Sequence, residues 1–203
     1  MLTVAIQAGG ESLRMGRDKA LIPFLGKALI ERVLQRVAPL ADEVLVTTNR
    51  PESYLFLGLP LFSDLAPGRG ALGGLFTALS AARHALVAVV ACDMPFVSAA
   101  LLAAERDLLA DASLDAVIPQ TEGGTEPFHA VYRRETCLPA IQAAIQAEKW
   151  RVDAWFPKAR LRFLTLEEVL RYDPDRLAFW NVNTPEDLLQ AEQLAANHEQ
   201  GNP

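Results

Sequence analysis

A short glycine-rich segment near the start of the chain carries the residue types best suited to bind an anion. Gly9 and Gly10 follow an apolar, β-branched run, and Arg14 and Lys19 come shortly after them. Paired glycines let backbone amides approach a ligand closely, while an arginine donates two parallel hydrogen bonds to a phosphate and a lysine adds a mobile charge. These residues suit a polyphosphate cradle; the alternative is a glycine-rich turn that bears surface charges.

A second chemical feature is an aspartate at the end of the longest apolar run. Asp93 follows the apolar residues 85–92, which are typical of a central parallel strand covered on both faces. A carboxylate at this point needs a cation or hydrogen-bond donors, because its desolvation is costly. Its oxygens are hard ligands that suit Mg²⁺; the alternative is a role in capping the next turn.

The elements that must position these residues alternate between strand-like and helix-like patterns along the chain. The predicted strands are residues 2–7, 43–48, 85–92, 114–119, 128–132 and 160–164, and the predicted helices are residues 28–37, 73–83, 98–109, 136–147 and 185–195. Such alternation predicts an α/β fold with a mostly parallel sheet. Open sheets of this kind bind ligands at the carboxyl ends of their strands, which is where both features lie.

Composition excludes several classes of protein. The 203 residues, 51% hydrophobic and 22% charged, suit one globular domain. No apolar run approaches the roughly 18 residues of a membrane helix, and we recognise no signal peptide. A net charge of −6 argues against nucleic-acid binding, although residues 1–36 carry six basic and three acidic side chains, which suggests a local anion site. Two cysteines are too few for a disulfide framework, so we expect a cytoplasmic protein.

The glycine-rich loop resembles the signature loop of nucleotidyltransferases that activate sugars and cofactors, and it is most similar to the molybdenum cofactor guanylyltransferases. Four motifs follow the order of that family: Ala-Gly-Gly-x-Ser-x-Arg-Met-Gly-x-Asp-Lys at 8–19, Asp64 with the glycine-rich loop 70–74, Cys-Asp-x-Pro at 92–95, and Asn-x-Asn-Thr-Pro-Glu-Asp-Leu at 181–188. The family usually has leucine where this chain has Gln7. The resemblance spans residues 3 to about 190.

The resemblance implies a single Rossmann-like domain of the nucleotide-diphospho-sugar transferase type, with helices on both faces of the sheet. We assign residues 1–196 to this domain and residues 197–203 to a polar tail. The implied reaction transfers GMP from GTP to molybdenum-molybdopterin, with Mg²⁺ as cofactor and molybdoenzyme-maturation proteins as further partners. A carboxylate such as that of Asp64 can accept both the N1 and the N2 protons of guanine, which favours GTP over CTP.

The family motifs imply a defined set of site residues. The expected catalytic residues are Arg14, Lys19 and Asp93. The expected nucleotide-binding residues are Gln7, Ala8, Gly9, Gly10, Lys19, Asn49, Asp64, Gly73 and Asp93. Asp93 is the expected Mg²⁺ ligand, and Asn181 or Asn183 is expected to complete the metal and phosphate site.

Other functions remain open at this stage. One is a cytidylyltransferase for the same cofactor or a sugar-phosphate nucleotidyltransferase. Another is an NAD-dependent oxidoreductase, since Gly68-x-Gly70-x-x-Gly73 with Asp93 twenty residues later formally matches a dinucleotide fingerprint. A third is a binding adaptor without catalysis. We interpret His129 as a core or strand-edge residue, the alternative being a contact to a pterin or a phosphate.

Overall fold

The apolar run that precedes Gly9 forms the central strand of the main sheet. In the computed structural model, which describes residues 1–8 and 18–200, strand β1 (Leu2–Gln7) pairs in parallel with strands on both sides. These neighbours are the predicted strands that begin at Glu43 and at Leu86. Because helices cover both faces of the sheet, most residues of these three strands are apolar.

The secondary structure of the described residues follows the predicted alternation. The strands are β1 (Leu2–Gln7), β2 (Pro23–Phe24), β3 (Lys27–Ala28), β4 (Glu43–Thr47), β5 (Leu61–Phe62), β6 (Leu86–Ala91), β7 (Ala116–Thr121), β8 (Gly124–Thr125), β9 (His129–Arg133) and β10 (Leu161–Leu164). The helices are α1 (Leu29–Val37), α2 (Gly70–Ala81), α3 (Ala99–Leu108), α4 (Arg134–Gln146), α5 (Leu166–Val169) and α6 (Pro185–Gln200), with 3₁₀ turns at Lys19–Leu21, Ala38–Leu40, Pro51–Leu57 and Phe156–Lys158.

The main sheet is parallel except at β8 and β9. Its order is β10-β7-β9-β6-β1-β4-β5, with β8 paired to β7. Strand β9 runs antiparallel to both β6 and β7, a direction that the sequence pattern does not encode. The short strands β2 and β3 form a separate hairpin. The carboxyl ends of β1, β4 and β6 therefore share one edge, as expected for the site.

Two apolar layers cover the sheet. Ile30 of α1 and Leu101 of α3 pack against one face, and Leu75 of α2 and Ile141 of α4 pack against the other. A third cluster joins Ala191 of α6 to the β2–β3 hairpin. None of the helices in the described part of the chain has the length and apolar composition that a bilayer span requires.

The structure differs from the sequence-based expectations at some element ends. Helix α2 begins at Gly70, before the predicted start at Gly73. The last helix continues to Gln200, inside the segment 197–203 that was assigned to a polar tail. The short edge strand β5 was not predicted, because two residues are too few to show a periodicity.

Candidate functional site

A cavity of about 620 Å³ opens at the carboxyl edge of the sheet, where β1, β4 and β6 end. It brings together most of the predicted site residues that the structure describes: Gln7, Ala8, Lys19, Asn49, Asp64 and Asp93. Gly9, Gly10 and Arg14 lie outside the described residues. Gly73 is not in the cavity lining, whereas its neighbour Gly74 is.

Lys19 and Asp93 form an ion pair in the lining of the cavity. Lys19 Nζ lies 3.8 Å from Asp93 Oδ2, and the two side chains are 18% and 19% exposed. Lys19 Nζ also donates a hydrogen bond of 2.6 Å to Asn183 Oδ1. This partly buried cation can neutralise a phosphate, because solvent screens it less than a surface charge.

The turn that carries Lys19 is held by its preceding residue. Asp18 caps the 3₁₀ turn by accepting a hydrogen bond of 3.2 Å from Ala20 N. Its other oxygen accepts a hydrogen bond of 2.8 Å from the hydroxyl of the fully buried Tyr54, and Arg50 lies 3.8 Å away. Asp18 thus fixes the backbone from which Lys19 reaches into the cavity.

The C-terminal motif contacts both Lys19 and Asp93. Val182 N donates a hydrogen bond of 2.9 Å to the backbone oxygen of Asp93. One carboxylate oxygen of Asp187 accepts hydrogen bonds from the backbone amides of Asn183 and Thr184, both at 2.9 Å. These amides lower the pKa of Asp187. The cap of α6 therefore places the Asn183 side chain beside Lys19, while Asn181 Nδ2 donates to the backbone oxygen of Phe179.

Asp93 has the chemistry of a ligand for a hard cation. Burial raises the pKa of its carboxyl group, and the nearby Lys19 opposes this increase. Among the described residues, no group of three His, Cys, Asp or Glu side chains could hold a metal ion. One protein carboxylate together with substrate phosphates and water is nevertheless a common coordination set for Mg²⁺. The residues present therefore fit a Mg²⁺ that arrives with a nucleotide.

Asp64 lines the cavity from the loop that follows β5. Its Oδ1 accepts hydrogen bonds from Ala66 N at 3.0 Å and from the Thr77 hydroxyl at 3.1 Å. Its own backbone amide donates to Asn49 Oδ1 at 3.0 Å. The loop before α2 is thus connected to the loop that follows β4, and the carboxylate of Asp64 has a fixed position on the cavity wall.

The glycines at the start of α2 let the helix approach this loop. A Cβ atom added to Gly73 would lie 2.7 Å from the backbone oxygen of Ala66. Gly68 and Gly70 line the cavity and have φ angles of +75° and +54°, which side chains rarely permit. Gly73 therefore serves the packing beneath the cavity, and Gly68 and Gly70 shape its rim.

A cation–π contact anchors the same rim from outside. The Arg69 guanidinium lies 3.7 Å from the centre of the Trp150 ring. Trp150 follows α4 and remains 43% exposed. This stack joins the loop between Gly68 and Gly70 to the end of a neighbouring helix.

The comparison with known families agrees with this site. A family model described as the MobA-like NTP transferase domain matches residues 4–159. The chain belongs to the MobA-like NTP transferase family. The resemblance carried by the four sequence motifs is therefore confirmed, and the NAD-dependent oxidoreductase is not supported. The glycine fingerprint of that alternative follows the two-residue edge strand β5 instead of the first strand.

Relatives of this MobA-like chain match it along nearly its whole length. A probable molybdenum cofactor guanylyltransferase of Pelotomaculum thermopropionicum is 36% identical, covering 98% of this chain and 96% of its own. A molybdenum cofactor guanylyltransferase of Desulfosudis oleivorans is 35% identical, covering 94% of each chain. The crystal structure of molybdopterin-guanine dinucleotide biosynthesis protein A from Archaeoglobus fulgidus matches with a TM-score of 0.83 at 27% identity, covering 96% of this chain and 99% of its own. The predicted single α/β domain is confirmed.

Some residues of the MobA-like site were not singled out from the sequence. Asp18 and Thr77 both line the cavity. Asp18 stands inside the first motif, where its place beside Lys19 is a usable signal. Thr77 carries no such signal, because a threonine within an apolar helix is usually a core residue, and its bond to Asp64 depends on the packing of α2.

His129 does not reach the cavity. It is fully buried. Its Nε2 accepts a hydrogen bond of 3.2 Å from Ser98 N, so Nδ1 carries the proton and faces Glu105 Oε1 at 3.3 Å. Burial lowers the pKa of His129 to about 4. The interpretation as a core histidine is confirmed; the adjacent Phe128 is the residue that lines the cavity.

Proposed function

We propose that this protein transfers GMP from GTP to the terminal phosphate of molybdenum-molybdopterin and releases pyrophosphate. The observation that carries this proposal is one cavity lined by both the Asp64 carboxylate and the Lys19–Asp93 pair. A carboxylate suits the N1 and N2 protons of guanine, and a buried ammonium suits a triphosphate. The relatives that match over nearly their whole length are named guanylyltransferases, which supports guanine as the base.

The chemistry is an in-line displacement at the α-phosphorus of GTP. An oxygen of the acceptor phosphate forms the new bond to that phosphorus, and the bond to the bridging oxygen of the β-phosphate breaks. Because the acceptor phosphate is ionised at pH 7, the step needs no general base. What the protein must supply is positioning and charge neutralisation.

The described residues supply these effects in distinct ways. Lys19 holds an ammonium group where it neutralises charge on the triphosphate and on the departing pyrophosphate, and Asn183 fixes its direction. We propose that Asp93 holds Mg²⁺ when the nucleotide is bound; the ion would supply charge stabilisation to the phosphate oxygens. Arg14, Gly9 and Gly10 remain predicted phosphate ligands. Both cysteines are free thiols, which fits the predicted cytoplasmic location.

A thermal-shift panel with GTP, CTP, ATP, UTP and NAD, each with and without Mg²⁺, tests the nucleotide. GTP at 100 times its Kd stabilises by about 2.7 kcal/mol, which corresponds to a shift of about 5–10 °C for this chain length. A Mg²⁺-dependent shift with GTP alone is the expected result. A selective shift with CTP would replace guanylyl transfer by cytidylyl transfer.

A transfer assay tests the acceptor. Molybdenum-molybdopterin, Mg²⁺ and GTP labelled at the α-phosphate should yield a labelled dinucleotide and one pyrophosphate per product. Label transfer to a sugar phosphate, with none to molybdopterin, would contradict the proposed acceptor while leaving the nucleotidyl-transfer chemistry unchanged.

A further inference from the structure

The side chain of Gln7 occupies an unusual position in the cavity. Gln7 is the last residue of β1, and it lines the cavity opposite the first turns of α2. A Cβ atom added to Gly74 would lie 2.9 Å from Gln7 Oε1 and 3.1 Å from Gln7 Nε2. The three nearest atoms to that added Cβ all belong to Gln7. The absence of a side chain at Gly74 therefore makes room for this carboxamide.

The carboxamide of Gln7 is not saturated with hydrogen bonds. Its Nε2 is buried and has no hydrogen-bond partner in the described part of the chain. A buried donor without a partner is energetically costly, and native proteins keep few of them. The leucine that the family usually has at this position avoids that cost. A glutamine at this strand end therefore fits a site in which a bound ligand supplies the missing acceptor.

The neighbouring Asp64 indicates which kind of ligand would supply the acceptor for Gln7. Asp64 Oδ1 lies 3.3 Å from a Cβ added to Gly73, and the Gln7 carboxamide lies against the next residue of the same helix. Asp64 Oδ1 already accepts hydrogen bonds from Ala66 N and the Thr77 hydroxyl, but the Asp64 carboxylate and the Gln7 carboxamide both line the cavity beside α2. The base-pairing edge of guanine offers the matching pattern, with N–H donors at N1 and N2 and an acceptor at O6.

We propose that the Gln7 side chain is a specificity-determining residue that donates a hydrogen bond to O6 of the bound guanine, beside Asp64. This inference rests on the proposed function, since it assumes GTP as the nucleotide. The terminal torsion of a glutamine side chain is broad and roughly two-fold. The amide can therefore turn its N–H towards the cavity when the base enters.

The first test compares GTP with 6-thio-GTP, in which a weakly accepting sulfur replaces O6. Isothermal titration with Mg²⁺ would measure both affinities for the native protein, for Gln7→Leu and for Gln35→Leu, a matched change on the exposed side of α1. We expect Gln7→Leu to weaken GTP binding about three- to tenfold, the scale of one neutral hydrogen bond. Binding of 6-thio-GTP should change by less than half of that factor, and Gln35→Leu should change neither.

Two results would overturn the proposal. If Gln7→Leu leaves GTP affinity unchanged, or weakens GTP and 6-thio-GTP equally, the side chain does not read O6. Failure of the native protein to bind GTP would instead refute the proposed function together with this inference, so the two failures are distinguishable.

The second test examines the placement of the carboxamide and does not depend on the nucleotide. Gly74→Ala should lower the melting temperature of the native protein, because the new methyl group would collide with Gln7. In a Gln7→Ala background the same change should be neutral or stabilising, since alanine is the better helix former. Equal destabilisation in both backgrounds would show that Gln7 does not occupy this space.

Discussion

Lys19 and Asp93 act as one unit, because each lies in the field of the other at the edge of the sheet. We predict that Lys19→Ala or Asp93→Asn lowers kcat at least about 100-fold, the scale expected when one preorganised charge-stabilising group is lost. Steady-state assays of guanylyl transfer would measure this, with Lys158→Ala and Asp107→Asn as matched changes at exposed positions. A rate near that of the native protein for either site variant would contradict the mechanism.

Asn183 is expected to position Lys19. Its loss removes a charge-assisted hydrogen bond, which typically contributes about 1.5–3 kcal/mol. We therefore predict that Asn183→Ala lowers kcat/KM about 10- to 100-fold, and that Asn181→Ala, whose Nδ2 bonds to the backbone instead, has a smaller effect.

The Mg²⁺ concentration for half-maximal activity separates positioning from metal binding by Asn183. A positioning residue leaves that concentration nearly unchanged, whereas a strong shift in Asn183→Ala would restore the expectation that this side chain is a metal ligand.

Residue chemistry near strand ends was visible in the sequence, but long-range partners were not. Asp93 follows an apolar strand and Lys19 follows a glycine-rich loop, so the place of both at the sheet edge could be predicted. The bond between Thr77 and Asp64 depends on how α2 packs against the sheet, which no local pattern specifies. The Gln7 amide has no partner among the residues that the structure describes, and this position becomes apparent only when Gly74 is seen opposite it.

At the scale of elements, a buried acid joins α3 to β9. Glu105 is fully buried beside His129, and burial raises the pKa of its carboxyl group well above the ordinary value. A raised carboxyl pKa stabilises the fold at low pH, and this contribution is lost as the pH rises above the unfolded value near 4.5. Glu105 therefore destabilises the fold at neutral and alkaline pH.

We predict that Glu105→Gln stabilises the protein at pH 8 and has little effect at pH 5. The amide keeps an acceptor for His129 Nδ1–H, and the difference grows by up to about 1.4 kcal/mol per pH unit between the unfolded and folded pKa values. Urea unfolding at several pH values would measure it, and a difference independent of pH would contradict the argument. His129 is present in both proteins, so its own titration cancels to first order.

The stack of Arg69 on Trp150 connects the rim of the cavity to α4. We predict that Trp150→Leu weakens GTP binding about two- to fivefold, since exposed cation–π contacts contribute about 0.5–1 kcal/mol. Trp150→Phe should retain part of the affinity, because a phenyl ring still attracts the guanidinium. Unchanged affinity in Trp150→Leu, measured by titration with GTP, would show that the rim keeps its shape without the stack.

The elements themselves were largely predictable, and the exceptions have physical causes. The six longer strands of the sheet were predicted near their observed positions because short runs rich in aliphatic, β-branched and aromatic residues favour strands. The reversed direction of β9 depends on its pairing between β6 and β7, which is tertiary information. Strand β5 is defined only by its ladder with β4.

At the scale of the whole molecule, α6 connects the end of the chain to its beginning. Ala191 is buried in the cluster that contains Phe24 and Leu29, whereas Leu189 on the same helix is 60% exposed. We predict that Ala191→Glu lowers the melting temperature by roughly 5 °C or more, because it places a charge in an apolar cluster. It should also weaken GTP binding, since α6 holds Asn183.

Leu189→Glu is the matched control on α6. Calorimetry should show a melting temperature close to that of the native protein for this variant. If Ala191→Glu were equally harmless, the packing of α6 on the β2–β3 hairpin would not contribute to stability.

The long separation of Lys19 and Asn183 along the chain also sets the earliest time at which the pocket can be completed during synthesis. The two residues are 164 positions apart, and a bacterial or eukaryotic ribosome adds about 5–20 residues each second. The lysine is therefore made about 8–33 seconds before its amide partner. During that interval Asp64 and Asp93 are added to the growing chain, which still lacks the residue that directs the ammonium group. A chain that terminates before Asn183 would therefore lack a finished pocket.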